Sequence, residues 1–340
     1  MRIHVIYSGG TIGMVETESG LAPGADLEGW LTDVMARSPG VCEVSLTEFD
    51  TLIDSSNATP ADWQALIDAL WNKRDDADGF VILHGTDTMA YSAAALSFAL
   101  RGFGKPVVIT GSQLPLGALN SDAGANVVDA IIALTSGKLT GVAIVFGRSV
   151  ISGACATKWS SWSFEGFASP NAPTLAAAGA PWLWKERVER TYPRAFLEPK
   201  PYGRHDVAVL ELVPGITATR VAAVLEPRPE AVILRAYGTG NIPADEPGLV
   251  DALAAAVQDG THMIVHSQCA QASVVLGHYE AGYALSQLGT ISAYDMTFEA
   301  CYAKAMFLLS QGLSGVEFQT WMETSLCGEI GEKAPEHHHD

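Results

Sequence analysis

Basic residues are scarce in this chain, and their scarcity limits the partners that it can bind. Lysine and arginine together number 20 against 38 aspartates and glutamates, which gives a formal net charge of −18. No lysine- or arginine-rich block occurs at any point in the sequence. A nucleic-acid partner requires basic patches that neutralise its phosphates, so we expect no nucleic-acid binding.

Long apolar runs and paired cysteines are also missing. No apolar run reaches the roughly 20 residues of a membrane-spanning helix, so we expect no membrane insertion. The five cysteines are odd in number, widely separated and outside any CxxC motif, which is typical of free thiols in a reducing compartment. No secretory signal pattern precedes the first predicted strand, and we therefore expect a cytoplasmic protein. Because no HExxH or other zinc-type spacing occurs, we predict no metal site.

The composition is typical of a globular protein with more than one domain. Of its 340 residues, 48% are hydrophobic and only 17% are charged. Strand-like and helix-like patterns alternate, which predicts an α/β fold with parallel sheets and crossover helices. We predict an N-terminal α/β domain over 1–185, a linker over 186–206, a C-terminal α/β domain over 207–332 and a flexible tail over 333–340.

Polar residues follow each predicted strand of the N-terminal domain. Ligands of an open α/β sheet bind outside the carboxyl ends of its strands, so we expect these residues to converge. Any single cluster could be an ordinary polar turn, but five together predict a site for covalent chemistry on a small polar substrate. In chain order the clusters contain Thr11, Asp54-Ser55-Ser56-Asn57, Thr86 with Asp87, Gly111-Ser112-Gln113, and Thr157-Lys158.

Other common site motifs do not occur. The Gly9-Gly10 loop carries neither the dinucleotide-binding GxGxxG pattern nor a P-loop, which argues against phosphate binding. No GxSxG elbow is present to expose a serine nucleophile. We expect His84 and His266 to be hydrogen-bonded residues at strand ends rather than catalysts.

Two motifs carry a family resemblance. The first is Ser8-Gly9-Gly10-Thr11-Ile12-Gly13, and the second is Gly79-Phe80-Val81-Ile82-Leu83-His84-Gly85-Thr86-Asp87-Thr88-Met89. Both resemble signatures of the L-asparaginase family, and the bacterial, cytoplasmic type I branch is the most similar. Supporting segments span nearly the whole chain: Asp54-Ser55-Ser56, Lys105–Gln113, Phe167-Ala168-Ser169-Pro170-Asn171, Tyr237-Gly238-Thr239-Gly240-Asn241 and Asp295-Met296-Thr297.

The resemblance implies an amidohydrolase that converts L-asparagine to L-aspartate and ammonia without a cofactor. It implies a two-domain α/β chain with a larger N-terminal domain, built on a mostly parallel sheet with flanking helices, and a smaller C-terminal domain. It also implies a homodimer or homotetramer, with each site between the N-terminal domain of one subunit and the C-terminal domain of its neighbour. The expected partners are therefore a small amino-acid substrate and further copies of the chain.

By resemblance, Thr11 is the nucleophile. Covalent catalysis divides amide hydrolysis into acylation and deacylation, with Thr11 as the acyl carrier. Thr86 and Lys158 match the family's second threonine and its lysine, in a proton relay in which Asp87 balances charge. Lys158 either accepts a proton as a base or stays charged and orients Thr86, and the sequence leaves both roles open. Backbone N–H groups around Gly85 and Thr86 are the expected oxyanion hole.

Substrate recognition requires partners for an α-ammonium group and an α-carboxylate. Asp87 suits the ammonium group, whereas Ser55, the adjacent Ser56 and backbone N–H groups suit the carboxylate. Ser112 is a candidate to hold the side-chain amide through its carbonyl. For Ser55 and Ser112, an ordinary role in a turn is an almost equally good interpretation.

The sequence departs from the family pattern in the predicted flap, Gly13–Gly24. Family members often carry a tyrosine there that touches the nucleophile, whereas the matching segment of this chain is Ser19-Gly20-Leu21-Ala22-Pro23. Leu21 cannot transfer a proton. Either the tyrosine is dispensable or another phenol replaces it, and Tyr294 is the candidate.

Three other functions compete with an asparaginase. One is a glutaminase-asparaginase, because one methylene gives only ~1–3 kcal/mol of discrimination. Another is an amidase subunit acting on aminoacyl-tRNA, which the lack of a basic surface disfavours. The third, from a different class, is a non-catalytic regulator that binds an amino acid on the same fold.

Overall fold

A computed structural model describes residues 1–17, 20–36, 42–186, 191–277 and 285–331. The chain divides into two compact units, Met1–Pro199 and Lys200–Asp340. This boundary falls inside the predicted linker, 186–206, whose extent stays a prediction like those of the two domains. The predicted tail, 333–340, lies outside the described residues.

Strands and α-helices alternate over 20–146 and over 207–267, whereas six strands follow one another over 142–184 without an α-helix between them. The strands are β1 (Arg2–Tyr7), β2 (Met14–Thr17), β3 (Gly20–Pro23), β4 (Glu43–Glu48), β5 (Gly79–Leu83), β6 (Val107–Thr110), β7 (Val142–Phe146), β8 (Ser149–Ser152), β9 (Thr157–Lys158), β10 (Phe167–Ala168), β11 (Ala176–Ala177), β12 (Leu183–Trp184), β13 (Val207–Glu211), β14 (Ala231–Ala236), β15 (His262–Ser267) and β16 (Ile291–Ser292). The α-helices are α1 (Leu27–Ala36), α2 (Pro60–Asn72), α3 (Met89–Ala99), α4 (Ala123–Thr135), α5 (Ala218–Val224), α6 (Leu249–Gln258), α7 (Phe298–Ser310) and α8 (Gly315–Met322).

An eight-stranded sheet forms the centre of the first unit, in the order β12-β11-β8-β7-β6-β5-β1-β4. The five strands from β7 to β4 are parallel, whereas β8, β11 and β12 continue the sheet in antiparallel pairs. Strands β5, β6 and β7 are buried along their whole length. Their continuous apolar sequences are typical of parallel strands with both faces covered. The predicted fold class, with its mostly parallel N-terminal sheet, is confirmed.

The order of the strands creates a switch point in this sheet. From β1 the chain moves to β4 at one side, and then returns to β5 at the other side of β1. The connections that follow β1 and β5 therefore diverge and leave a crevice at the carboxyl ends of these two neighbours. Ligands of open α/β sheets bind in such crevices.

Local signals fix several elements that support the sheet. Helix α2 begins where Thr59-Pro60 predicts, with the Asp62 carboxylate accepting the Thr59 N–H at 2.7 Å in a capping box. A buried apolar cluster that includes Val5, Leu27 and Val127 joins the sheet to α1 and α4. Burial of such side chains stabilises by about 25 cal/mol for each Å² removed from water.

The second unit contains a four-stranded parallel sheet in the order β13-β14-β15-β16. Its buried apolar cluster includes Leu234 and Val265 from the sheet and Leu253 from α6. This parallel sheet with flanking helices confirms the predicted α/β character of the C-terminal part.

Two segments that the sequence predicts as loops contain regular structure. The stretch Gly147–Pro173 is rich in serine, glycine and alanine, which predicts irregular structure, but it contains β8, β9 and β10. The predicted flap contains a hairpin in which Thr17 pairs with Gly20, although residues 18–19 and the side chains of Leu21 and Pro23 lie outside the described part. Strands of two to four residues are too short to show the alternation that reveals a strand.

Three further observations concern the described ranges alone. No helix there combines enough length with enough apolar character to cross a bilayer. No group of three or more His, Cys, Asp or Glu side chains is arranged there to hold a metal ion. All five cysteines are free thiols.

Candidate active site

The loops that follow β1 and β5 touch at two glycines. Gly10 has φ +98°, and a Cβ on it would lie 2.5 Å from the nitrogen of Gly85. Both the backbone conformation and the close approach therefore require glycine at position 10. A Cβ on Gly85 would in turn lie 2.4 Å from Ser55 Oγ, which follows β4. Three strand ends thus meet through positions that have no room for a side chain.

Thr11 is the first residue of a 3-10 turn, Thr11–Gly13, directly after this glycine contact. Neighbouring backbone holds the turn, since Leu116 N–H donates to the Ile12 carbonyl at 3.2 Å and Gly24 N–H donates to the Gly13 carbonyl at 3.1 Å. The Thr11 side chain is partly exposed. Within the described ranges its hydroxyl makes no hydrogen bond, so it is available to a ligand.

Thr86, Asp87 and Lys158 form a compact polar cluster. Lys158 Nζ donates to Thr86 Oγ1 at 3.0 Å and to Asp87 Oδ1 at 2.6 Å. Thr86 is only 9% exposed and the Lys158 side chain 20%, whereas the Asp87 side chain is 62% exposed. The amine is therefore held between a shielded hydroxyl and a carboxylate that still faces solvent.

Ser55 lies against the same turn. Its hydroxyl accepts the backbone N–H of Asp87 at 3.3 Å, and its carbonyl accepts the Thr88 hydroxyl at 2.7 Å. Ser56 is exposed, and its hydroxyl and N–H both donate to the Asp54 carboxylate, at 2.9 and 3.1 Å. In the part of the chain that the structure describes, no acceptor takes the Ser55 hydroxyl hydrogen, which is therefore free for a ligand, while Ser56 is engaged in its own turn.

Ser112 and Gln113 follow β6. The buried Ser112 hydroxyl donates to the Leu114 carbonyl at 2.5 Å, which is a turn contact. The Asp122 carboxylate accepts the N–H groups of Gln113 and Leu114, each at about 3.1 Å. Beyond this turn, the Gln113 carboxamide reaches the loop that follows Lys158.

His84 fixes the backbone at the end of β5. Burial lowers the pKa of His84, so its imidazole is neutral at pH 7. Because Nδ1 lies 2.7 Å from the Gly85 carbonyl, which can only accept, the hydrogen is on Nδ1, and Nε2 accepts the Ser92 hydroxyl at 3.0 Å. The Gly85 carbonyl is thereby held by His84, and the N–H of the same peptide unit, which belongs to Thr86, points the opposite way.

Tyr294 and His266 belong to the second unit. Tyr294 has φ +50°, and its N–H donates to Ser292 Oγ at 3.0 Å. His266 is the penultimate residue of β15 and lies 2.7 Å from an Arg235 guanidinium nitrogen. Burial, with Arg235 as a second cause, lowers the pKa of His266 to about 4. The proposed use of Tyr294 in place of a flap tyrosine stays a prediction.

The structure thus brings together Ser55, Thr86, Asp87 and Lys158 by direct hydrogen bonds, with Thr11 beside them through the Gly10–Gly85 contact. Ser56 and Ser112 lie next to this group but bond within their own turns. Sequence reasoning placed Gln113 after the fourth predicted strand without giving it a role. The only sequence feature that pointed to Gln113 was its position after a buried strand, because its hydrogen-bond partners lie about fifty positions later in the chain.

Comparisons with known proteins show which family the chain belongs to. The model "Asparaginase, N-terminal" matches residues 2–189, and "Glutaminase/Asparaginase C-terminal domain" matches residues 206–322. L-asparaginase 1 of Escherichia coli (strain K12) is 38% identical over 333 residues, 96% of this chain and 97% of that protein. The 60 kDa lysophospholipase of Homo sapiens is 35% identical over 353 residues, 97% of this chain but 61% of that protein.

Solved structures show the same fold. L-asparaginase I from Vibrio cholerae superposes with a TM-score of 0.88 at 36% identity, covering 97% of this chain and 99% of that one. The thermostable L-asparaginase from Thermococcus kodakarensis gives 0.86 at 31% identity, with coverage of 97% and 99%. The two units thus define a two-domain α/β protein with a polar site at the switch point of its larger sheet. The chain belongs to the asparaginase family, and the resemblance inferred from its two motifs is confirmed.

Proposed function

We propose that this protein hydrolyses L-asparagine to L-aspartate and ammonia through an acyl-enzyme intermediate on Thr11. The matches to both family models and the full-length similarity to L-asparaginase 1 of Escherichia coli support the reaction. The contact between Gly10 and Gly85 carries most weight for the mechanism. It puts the turn that begins at Thr11 against the turn that presents Thr86 to Lys158.

Acylation begins with attack of Thr11 Oγ1 on the side-chain amide carbon. The hydroxyl proton passes into the relay, the C–N bond breaks, and the nitrogen leaves as ammonia after gaining a proton. Water then attacks the resulting ester, releases aspartate and restores the Thr11 hydroxyl. A nucleophile that makes no hydrogen bond within the described ranges loses no such contact when it attacks.

Lys158 and Asp87 prepare Thr86 for proton transfer. An amine 3.0 Å from Thr86 Oγ1 can take a proton from that hydroxyl or, as an ammonium group, orient it toward Thr11. Asp87, 2.6 Å from the same nitrogen, balances its charge in either case. The Thr86 N–H, turned away from the carbonyl that His84 holds, is the oxyanion donor that we favour, and loss of one such donor typically costs ~2.7–4 kcal/mol.

Recognition of the substrate's charged ends falls to Asp87 and Ser55. The exposed face of the Asp87 carboxylate suits the α-ammonium group, and the free Ser55 hydroxyl hydrogen suits the α-carboxylate. The exposed Ser56 is a further candidate to bind the α-carboxylate. Ser112 retains only the acceptor capacity of its hydroxyl, which suits the N–H₂ side of the substrate amide.

The decisive experiment measures ammonia release from asparagine and glutamine by the parent and by Thr11→Ala. We expect release from asparagine, with the variant slower by more than about 10³-fold because no acyl carrier remains. Thr135→Ala, which removes a matched hydroxyl at the end of α4, controls for general damage.

Three other results of this experiment would each change the assignment of the nucleophile or of the function. Release that survives Thr11→Ala overturns the assignment of the nucleophile. No release from either amide by the parent shifts the function to an amino-acid-binding regulator, which calorimetry with asparagine would then detect. Faster release from glutamine would make it a glutaminase-asparaginase.

We further propose that the protein acts in the cytoplasm as a homodimer or homotetramer, as the family resemblance implies. The free thiols of all five cysteines support a reducing location. Sedimentation analysis over a range of protein concentrations tests the assembly, and a monomer at the concentration of the activity assay would exclude a site shared between subunits.

A further inference from the structure

A hairpin loop formed by residues 159–166 directly follows Lys158. It joins β9 and β10, in which Lys158 pairs with Phe167. Trp159 N–H donates to the Gly166 carbonyl at 2.8 Å and closes the base of the loop. Because β9 has only two residues, its own ladder gives Lys158 little support.

The Gln113 carboxamide fills the inside of this loop. Its Nε2 donates to the Ser163 carbonyl at 2.9 Å and to the Ser160 carbonyl at 3.4 Å, so both amide hydrogens have acceptors. A Cβ at Gly166 would lie 2.9 Å from the same nitrogen, which shows how closely the loop backbone surrounds it. Ser160 Oγ accepts the N–H of Ser163 at 3.0 Å and adds to the closed shape.

Gln113 is itself firmly held on the carboxyl side of β6. The buried Asp122 carboxylate accepts its N–H and also the Asn126 amide, at 3.1 Å in each case. Asn126 donates in turn to the Gly111 carbonyl at 2.9 Å. The glutamine thus links a rigid strand end to a loop that has little regular structure of its own.

We propose that Gln113 is a positioning residue for Lys158. By closing the 159–166 loop, its carboxamide holds the register in which Lys158 Nζ meets both Thr86 and Asp87. The inference rests on the proposed function, because it gives the lysine a part in amide hydrolysis. Among the described residues, Gln113 forms no hydrogen bond with Thr11, Thr86 or Lys158 and acts only through the loop.

The test compares Gln113→Met with the parent. Methionine keeps the length of the side chain but donates no hydrogen bond, so the loop carbonyls lose their partner. We expect kcat on asparagine to fall between about 10- and 100-fold with less than a twofold change in KM, since misplacement of a catalytic group by about 1 Å has effects of this size. Gln64→Met on helix α2, where the carboxamide donates to Asp68 at 2.7 Å, is the matched control and should retain parental kcat.

A second readout does not depend on turnover. Hydrogen–deuterium exchange of peptides covering 157–167 should quicken in Gln113→Met and stay parental in Gln64→Met. Faster exchange without a loss of kcat, or a loss of kcat without faster exchange, overturns the proposal. If the parent releases no ammonia, the proposed function fails, and this exchange result still reports on the loop.

A second variant covers the case in which Gln113→Met does not fold. In Gln113→Glu, a carboxylate faces two carbonyl oxygens, but a protonated carboxyl can donate to Ser163 again. The ratio of variant to parental kcat should therefore rise as the pH is lowered from 8 to 5. A ratio that is constant over this range contradicts the proposal, because a general packing defect has no reason to follow protonation.

Discussion

Single positions decide whether the reactive groups of this protein can meet. Gly10 and Gly85 approach so closely that a Cβ on either would overlap backbone or a serine side chain. The two signature motifs therefore need their glycines for contact as much as for turning. Sequence reasoning identified these motifs because they are contiguous, whereas Gln113 acts on residues about fifty positions away and could be found only in the folded chain.

Tyr294 is the residue proposed to replace the flap tyrosine, and its role can be tested directly. Its φ of +50° is rare for a residue other than glycine, and such conformations concentrate at functional sites. If its phenol transfers a proton in place of a flap tyrosine, Tyr294→Phe should lower kcat on asparagine on the order of 10²-fold. Steady-state kinetics with Tyr302→Phe as a matched control decide the point, and parental turnover in Tyr294→Phe removes the residue from the mechanism.

A buried ion pair connects helix α7 of the second unit to the segment that follows α8. Lys304 of α7 forms a fully buried ion pair with Glu329 at 2.6 Å, and also donates to the carbonyls of Met322 and Thr324. Burial of Glu329 opposes its charged form, but Lys304 and the backbone N–H groups of Leu326 and Cys327 outweigh this and lower its pKa. The pair thereby ties the segment after α8 to α7.

Removal of one partner should therefore be costly. We expect Lys304→Met to destabilise by roughly 3–5 kcal/mol, because it leaves the Glu329 carboxylate buried without its cation. Lys304→Met combined with Glu329→Gln should recover part of the loss, since no charge is left uncompensated. Urea unfolding measures both.

The exposed pair of Lys73 and Asp76, 3.6 Å apart, is the control. Lys73→Met should change the free energy of unfolding by less than about 1 kcal/mol. A similar cost for Lys73→Met and Lys304→Met would show that burial does not govern the contribution of the Lys304 pair.

At the scale of the element, the sequence predicted best where the signal was local. Thr59-Pro60 predicts the start of α2, and the apolar runs Phe80–Leu83 and Gly141–Phe146 predict strands that the structure shows as β5 and β7. The two-residue strands β9 and β10 were missed because their pairing depends on the loop between them and on its contact with Gln113. Alternation cannot be recognised in so few residues.

The whole molecule should lose stability in mild acid. Burial is the main cause that lowers the pKa of His4, His84, His262 and His266 below the ordinary 6.5, to about 4 for His266. Below about pH 6.5 these histidines bind protons in the unfolded chain but stay neutral in the folded chain. The free energy of unfolding therefore decreases as the pH is lowered. For His266 alone the shift from 6.5 to about 4 corresponds to roughly 3 kcal/mol.

Urea titrations at pH 7.5, 6 and 5, at one protein concentration, measure this loss. His266→Gln should show a smaller decline over the same range, because one proton-resisting group is gone. A free energy of unfolding that stays constant from pH 7.5 to 5 contradicts the prediction.

The sequence by itself determined the α/β character, the two signature motifs and the identity of the groups at each strand end. Those features depend on neighbouring residues, which a linear pattern records directly. Only the tertiary structure decided that β1 lies beside β5 and that the hairpin after β8 carries Lys158 to Thr86. An apolar run specifies that a strand forms but not its neighbours, because pairing is chosen by packing between segments that are distant in the chain.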